Sequence, residues 1–137
     1  MVRLGLVVTE FDKTGDVLPK MVVSAEKAVD DSHATIISRL TVPGSYDTPL
    51  AADRLARRED IDAVAVLGAI ITGETNHDQV IANAAASGLT TVSLQRDTPV
   101  TFGIIGPGMT EAQARERTHY GAEAVKSAIH LATLSDN

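Results

Sequence analysis

Apolar and polar positions along the chain fall into two recurring patterns. Arg3 to Val8 and Ala63 to Ile71 are near-continuous apolar runs, the signature of strands buried on both faces of a parallel sheet. Ala34 to Leu40, stopped by Pro43-Gly44, and Val100 to Ile105, broken by Gly106-Pro107-Gly108, read as two further strands. Between them the spacing turns helical. Val17, Leu18, Val22, Val23, Ala25 and Ala28 predict a helix over Gly15 to Asp31, with Pro19 in its first turn, where a missing N–H is tolerated. Thr48-Pro49 reads as an N-cap followed by proline at the first helical position, opening a helix to Arg58. Thr110 begins a Thr-x-x-Gln capping box for a short helix to Arg117. A final helix, His119 to Leu134, turns Ala122, Val125, Ala128, Ile129 and Ala132 inward. The helix that begins near Thr75 is ambiguous in extent. Gly88 to Leu94 has strand propensity, yet Ile81, Ala85, Gly88, Val92 and Gln95 share a helical face; one long helix is preferred, partly on the resemblance described below.

Strands alternating with helices imply right-handed crossovers and a parallel sheet covered on both faces. At 137 residues the chain reads as one domain, residues 1–137. Ligands in such folds sit outside the carboxyl ends of the strands.

Composition narrows the function. A formal net charge of −6 disfavours non-specific nucleic-acid binding, which needs clustered Lys and Arg. No apolar run approaches the ~20 residues of a membrane helix. No basic segment precedes an apolar stretch at the N-terminus, so no signal peptide is expected and the cytoplasm is the default location. The absence of cysteine excludes disulfides and thiolate metal sites. With two Phe, two Tyr and no Trp, the core must be built from Val, Ile, Leu and Ala, and each aromatic can be weighed singly.

Three of those four aromatics, Phe11, Tyr46 and Phe102, fall in or beside segments at the strand ends. A flat polar heterocycle stacked on an aromatic ring would explain the placement; the alternative is that Phe11 and Phe102 plug the top of the core. Gly73-Glu74-Thr75 opens a helix whose free N–H groups could hold an anion, with the Glu74 carboxylate then pointing away. His77, one turn on, is a proton-transfer candidate or a capping residue. Arg117 offers a planar fork for phosphate, or is a surface arginine. His33, His119 and His130 read as surface or end-of-helix residues.

Taken in order, Val42-Pro43-Gly44-Ser45-Tyr46-Asp47-Thr48-Pro49-Leu50-Ala51-Ala52, then Leu67-Gly68-Ala69-Ile70-Ile71-Thr72-Gly73-Glu74-Thr75-Asn76-His77, then Pro99-Val100-Thr101-Phe102-Gly103-Ile104 and Gln113-Ala114-Arg115-Glu116-Arg117 resemble the lumazine synthase family over nearly the whole chain. The ending Ile105-Gly106-Pro107-Gly108-Met109-Thr110 looks most like the archaeal branch. The resemblance implies an α/β, three-layer flavodoxin-like fold with a four-stranded parallel sheet, assembled as pentamers or as a sixty-subunit shell of pentamers, with active sites between subunits. It implies a transferase of riboflavin biosynthesis that joins a pyrimidine diamine to a sugar phosphate, with no metal, no redox cofactor, and neither nucleic acid nor membrane as partner.

By the same resemblance Phe11, Ser45, Tyr46, Asp47, Ala69, Ile70, Ile71 and Phe102 contact the substrates, with Phe11 stacked on the pyrimidine and Asp47 near the ribityl hydroxyls. Gly73, Glu74, Thr75 and Arg117 hold the phosphate, His77 moves protons, and Phe102 and Arg117 come from the neighbouring subunit. The chain departs from the family in four places. Tyr46 stands where phenylalanine is usual, and Asp12 where asparagine is common. Thr118-His119-Tyr120-Gly121 is shorter than the loop that in many bacterial members precedes a lysine, with His119 the nearest candidate in its place. The first strand begins within a few residues of Met1, so the N-terminal arm of longer relatives is not expected. An archaeal-type riboflavin synthase shares the fold but lacks the Gly-x-Thr-x-His element. A non-catalytic flavin- or lumazine-binding or shell protein could dispense with His77 and Arg117, and both are present.

Overall fold

The computed structural model describes residues 1–10, 15–72 and 76–134. Four strands, β1 (Arg3–Thr9), β2 (Thr35–Val42), β3 (Ala63–Ala69) and β4 (Val100–Ile105), form one parallel sheet in the order β2-β1-β3-β4. That order is the flavodoxin-like one. Helices α1 (Val17–Asp31) and α5 (Tyr120–Ala132) cover one face, and α2 (Thr48–Ala56) and α3 (His77–Arg96) the other; α4 (Glu111–Arg115) is a short connector. The expected three-layer α/β architecture is therefore observed.

β3 explains why both faces need a helical layer. Every one of its residues is buried, with Ala63, Ala65, Leu67 and Ala69 packed toward α1 and α5 and Val64 and Val66 toward α2 and α3. Beside it, Leu4, Leu6 and Val8 of β1 face α1, and Val7 faces α2. Two apolar clusters separated by the sheet result, with almost no aromatic volume in either.

Several local expectations need correcting. The third strand ends at Ala69 rather than Ile71, although Ile70 N–H still donates to the Ile105 carbonyl at 2.8 Å. β2 runs on to Val42, because the Glu10 N–H bonds its carbonyl at 2.7 Å and prolongs the pairing. Thr48 is not a cap. It is the first residue of α2, and its Oγ1 donates at 2.8 Å to the Ser45 carbonyl in the preceding 3₁₀ turn, Ser45–Asp47. The ambiguous segment is one long helix, but its buried face is Ala82, Ala85, Leu89 and Val92. The threonines that suggested a strand are accommodated because their Oγ1 atoms donate back to the Ala86 and Ser87 carbonyls at 2.8 and 3.0 Å. The Thr110–Gln113 capping box forms in both directions, at 3.2 and 2.9 Å.

Polar ties hold the layers in register. The Asp53 carboxylate accepts from Arg96 at 2.8 Å and lies 3.3 Å from Arg57, joining α2 to α3, and the Arg96 guanidinium holds this carboxyl below the ordinary carboxylate range. On the other face α5 crosses α1 very closely. A Cβ on Gly121 would lie 2.1 Å from the Met21 carbonyl oxygen, a backbone atom that cannot yield. We predict that Gly121→Ala destabilises the protein by about 3 kcal/mol, read as a fall in the urea midpoint at fixed protein concentration. An unchanged midpoint would show that the two helices can separate freely.

Candidate active site

Three cavities open around the carboxyl ends of the strands; one, beside β1 and β2, is lined by Val8, Thr9, Glu10 and Thr41 and holds none of the sequence-predicted residues, and the other two do. The first of these two, about 450 Å³, is lined by Pro43, Gly44, Ser45, Asp47, Ala69, Ile70, Ile71, His77, Asp78 and Ile81. Its wall is built by the turn that follows β2. Pro43 lies just past the strand's last residue, the Asp47 N–H donates to the Gly44 carbonyl, and the Gly44 N–H donates to Asp47 Oδ2, both at 3.0 Å. Gly68 of β3 makes room beneath: a Cβ there would lie 3.1 Å from Ser45 Oγ and 3.2 Å from Thr9 Cγ2. Thr9 is only 2% exposed, and its Oγ1 has no hydrogen-bond partner among the described residues. His77 stands at the mouth, as the first residue of α3.

Six of the sequence-predicted residues, Ser45, Asp47, Ala69, Ile70, Ile71 and His77, thus line a single cavity. Tyr46 does not: it is 65% exposed and outside the lining. Phe11, Gly73, Glu74 and Thr75, and with them Asp12, lie outside the described residues.

The second cavity, about 300 Å³, runs along the outer edge of β4 and is lined by Phe102, Gly103, Ile104, Ile105, Gly106, Arg117 and Tyr120. Phe102 is 43% exposed, so it does not plug the core. In the parallel ladder the Val64 and Ile70 N–H groups take the Pro99 and Ile105 carbonyls, each at 2.8 Å. By the alternation of such a ladder, the backbone groups of Phe102 and Ile104 face outward along the groove. Arg117 comes after α4, its N–H donating to the Ala114 carbonyl at 3.0 Å. Among the described residues its guanidinium has neither a carboxylate nor any other hydrogen-bond partner. A half-buried cation left unpaired beside an aromatic ring suits an anionic, flat ligand.

Tyr120 was not foreseen as a groove residue. The only signal was its place one turn after Arg117, where its N–H donates to the Arg117 carbonyl at 3.1 Å. His119, the candidate in place of the family's lysine, is exposed, is not part of the lining, and stacks its ring on Tyr120 with centroids 4.6 Å apart. His33 and His130 lie on the surface or near a helix end, as expected.

The two cavities share no lining residue, so within one chain His77 and Arg117 belong to different concavities. Among the described residues no cluster of three or more His, Cys, Asp or Glu could hold a metal ion, and no helix is long and apolar enough to cross a membrane.

Residues 1–136 match the family model described as 6,7-dimethyl-8-ribityllumazine synthase. The chain is 61% identical over 131 residues to the 6,7-dimethyl-8-ribityllumazine synthase of Halobacterium salinarum, covering 96% of this chain and 97% of that one. It is 59% identical over 136 residues to the synthase of the same name from Halorubrum lacusprofundi, covering 99% and 100%. Identity to the Methanocaldococcus jannaschii protein of that name is 43% over 131 residues, covering 96% and 92%.

The unsatisfied Thr9 hydroxyl carries a prediction of its own. Thr9→Val keeps the shape and removes a buried group with no partner among the described residues, so it should raise stability by about 1 kcal/mol, measured as an increased denaturant midpoint. A loss of stability would mean that the hydroxyl is bonded in the folded protein.

Proposed function

The chain belongs to the 6,7-dimethyl-8-ribityllumazine synthase family, and from that premise we propose how these two cavities carry out the family's reaction. The protein is a transferase of riboflavin biosynthesis. It condenses 5-amino-6-(D-ribitylamino)uracil with 3,4-dihydroxy-2-butanone 4-phosphate, giving 6,7-dimethyl-8-ribityllumazine and phosphate. An amine of the uracil attacks the ketone to form an imine with loss of water. Phosphate then leaves by elimination, and ring closure with loss of a second water completes the lumazine.

The observation that carries the site reading is the separation of two incomplete concavities. One holds His77 with Ser45 and Asp47; the other holds Arg117, without a partner among the described residues, and an exposed Phe102. A complete site forms when the β4 edge of one subunit meets the His77 cavity of its neighbour, in a pentamer that stands alone or builds a sixty-subunit shell. In that site Phe11 and Phe102 are the aromatic contacts for the pyrimidine, and Tyr46 adds a further contact at its margin. Ser45, Asp47 and the backbone from Ala69 to Ile71 contact the pyrimidine and its ribityl chain. Gly73, Glu74 and Thr75 offer amides to the phosphate with Arg117 opposite, and His77 moves protons between amine, imine and leaving group. Holding two substrates in register supplies most of the acceleration; proton transfer by His77 adds roughly 10²–10⁴-fold. The site works in the cytoplasm on small diffusible substrates.

The direct test mixes the protein with both substrates and follows lumazine absorbance against the uncatalysed reaction; no acceleration would refute the activity. Arg117→Ala should lose roughly 1.5–3 kcal/mol of phosphate binding, seen as a raised KM for the sugar phosphate, and unchanged kinetics would remove Arg117 from the site. His77→Ala should lower kcat far more than it raises KM; a pure binding defect would count against proton transfer. Co-assembling Arg117→Ala chains with His77→Ala chains should restore part of the activity, because some sites then draw both intact halves from different subunits. No recovery, with mixed assemblies verified by mass, would overturn the shared site.

A further inference from the structure

Tyr120 stands in the β4 groove without a use in the proposed reaction. It lines the same cavity as Arg117, from the far end of the same turn. That position is tightly held. The next residue, Gly121, lies against the Met21 carbonyl; the Ala122 N–H donates to Ser24 Oγ at 3.0 Å; and the His119 ring stacks on the tyrosine at 4.6 Å. Among the described residues the phenol oxygen itself has no hydrogen-bond partner. Two donors that no protein group among the described residues engages, a guanidinium and a phenol, therefore belong to one groove and lie less than a helical turn apart in the chain. A phosphate monoester has three terminal oxygens, and a guanidinium fork grips two of them at most.

We infer that Tyr120 is a further substrate-binding residue, its phenol O–H donating to a phosphate oxygen that the Arg117 fork leaves free. The inference rests on the reading of Arg117 as the phosphate ligand. Tyrosine supplies a directional donor here without adding a second cation, so it favours the phosphorylated substrate over its unphosphorylated analogue by geometry rather than by net charge. His119 lies outside the cavity lining and plays no part in binding.

The test uses the assembled full-length enzyme and inorganic phosphate as the probe, competing against the sugar phosphate. Tyr120→Phe removes one oxygen and leaves the ring, so the fold should survive, which its melting curve will verify. Inhibition by inorganic phosphate should weaken about tenfold and KM for the sugar phosphate should rise by a similar factor. KM for the pyrimidine should stay within about twofold. Phosphate inhibition of His119→Ala should match the parent protein. If Arg117→Ala weakens phosphate and Tyr120→Phe does not, the inference about Tyr120 falls while the site reading stands. If Arg117→Ala also leaves phosphate untouched, the site reading falls with it. Equal shifts in both KM values for Tyr120→Phe would make the residue a contact for the heterocycle and overturn its phosphate role, and a loss confined to His119→Ala would pass that role to the histidine.

Discussion

Burial of β3 on both faces is the constraint on which the rest of the molecule depends. A strand with no polar side chain and no exposed position must lie inside a sheet with helices above and below. Parallel neighbours then require crossover helices, and every crossover returns the chain to the same end of the sheet. The loops that leave the strands therefore lie together at the carboxyl end. Small residues make the arrangement possible: Ala63, Ala65 and Ala69 in β3, and Ala25, Ala28, Ala124 and Ala128 in the helices facing it, let the layers close without aromatic side chains.

The crossing of α1 and α5 carries this order out to the rim. Gly121 against the Met21 carbonyl sets the depth of α5. Ser24, accepting the Ala122 N–H at the helix start and donating to the His119 carbonyl at 3.5 Å, sets its rotation. Thr101 Oγ1 donates to the Ala124 carbonyl at 2.8 Å and ties the same helix to β4. The turn bearing Arg117 and Tyr120 hangs from this anchored start, so a cation is presented at a fixed place although no carboxylate among the described residues holds it there.

The strands and helices of the described residues were legible because continuous apolar runs and helical spacing are local properties of the chain. The Thr110–Gln113 cap was legible for the same reason. The features that escaped depended on tertiary contacts. Thr48 has the composition of a cap, but the 3₁₀ turn before it supplies an acceptor that turns its hydroxyl into a donor. The buried face of α3 is set by its packing on α2, which favours Leu89 over Ile81 and Gln95. The residues lining the first cavity could be found by looking just beyond the carboxyl end of each strand. Tyr46 shows the limit of that rule, since neighbours in sequence diverge within one turn. Tyr120 was missed for the converse reason: it begins a helix instead of ending a strand, and only the fold brings it beside β4.

The scarcity of aromatic residues has an optical consequence. With no tryptophan in the chain, near-ultraviolet emission comes from two tyrosines, and the fold sets them apart. Tyr46 stands in the turn that walls the first cavity, and Tyr120 lines the second. Each of these two cavities therefore has an intrinsic fluorophore in its lining or in the turn beside it, and replacing either tyrosine by phenylalanine leaves a protein whose remaining signal reports on the surroundings of one cavity alone.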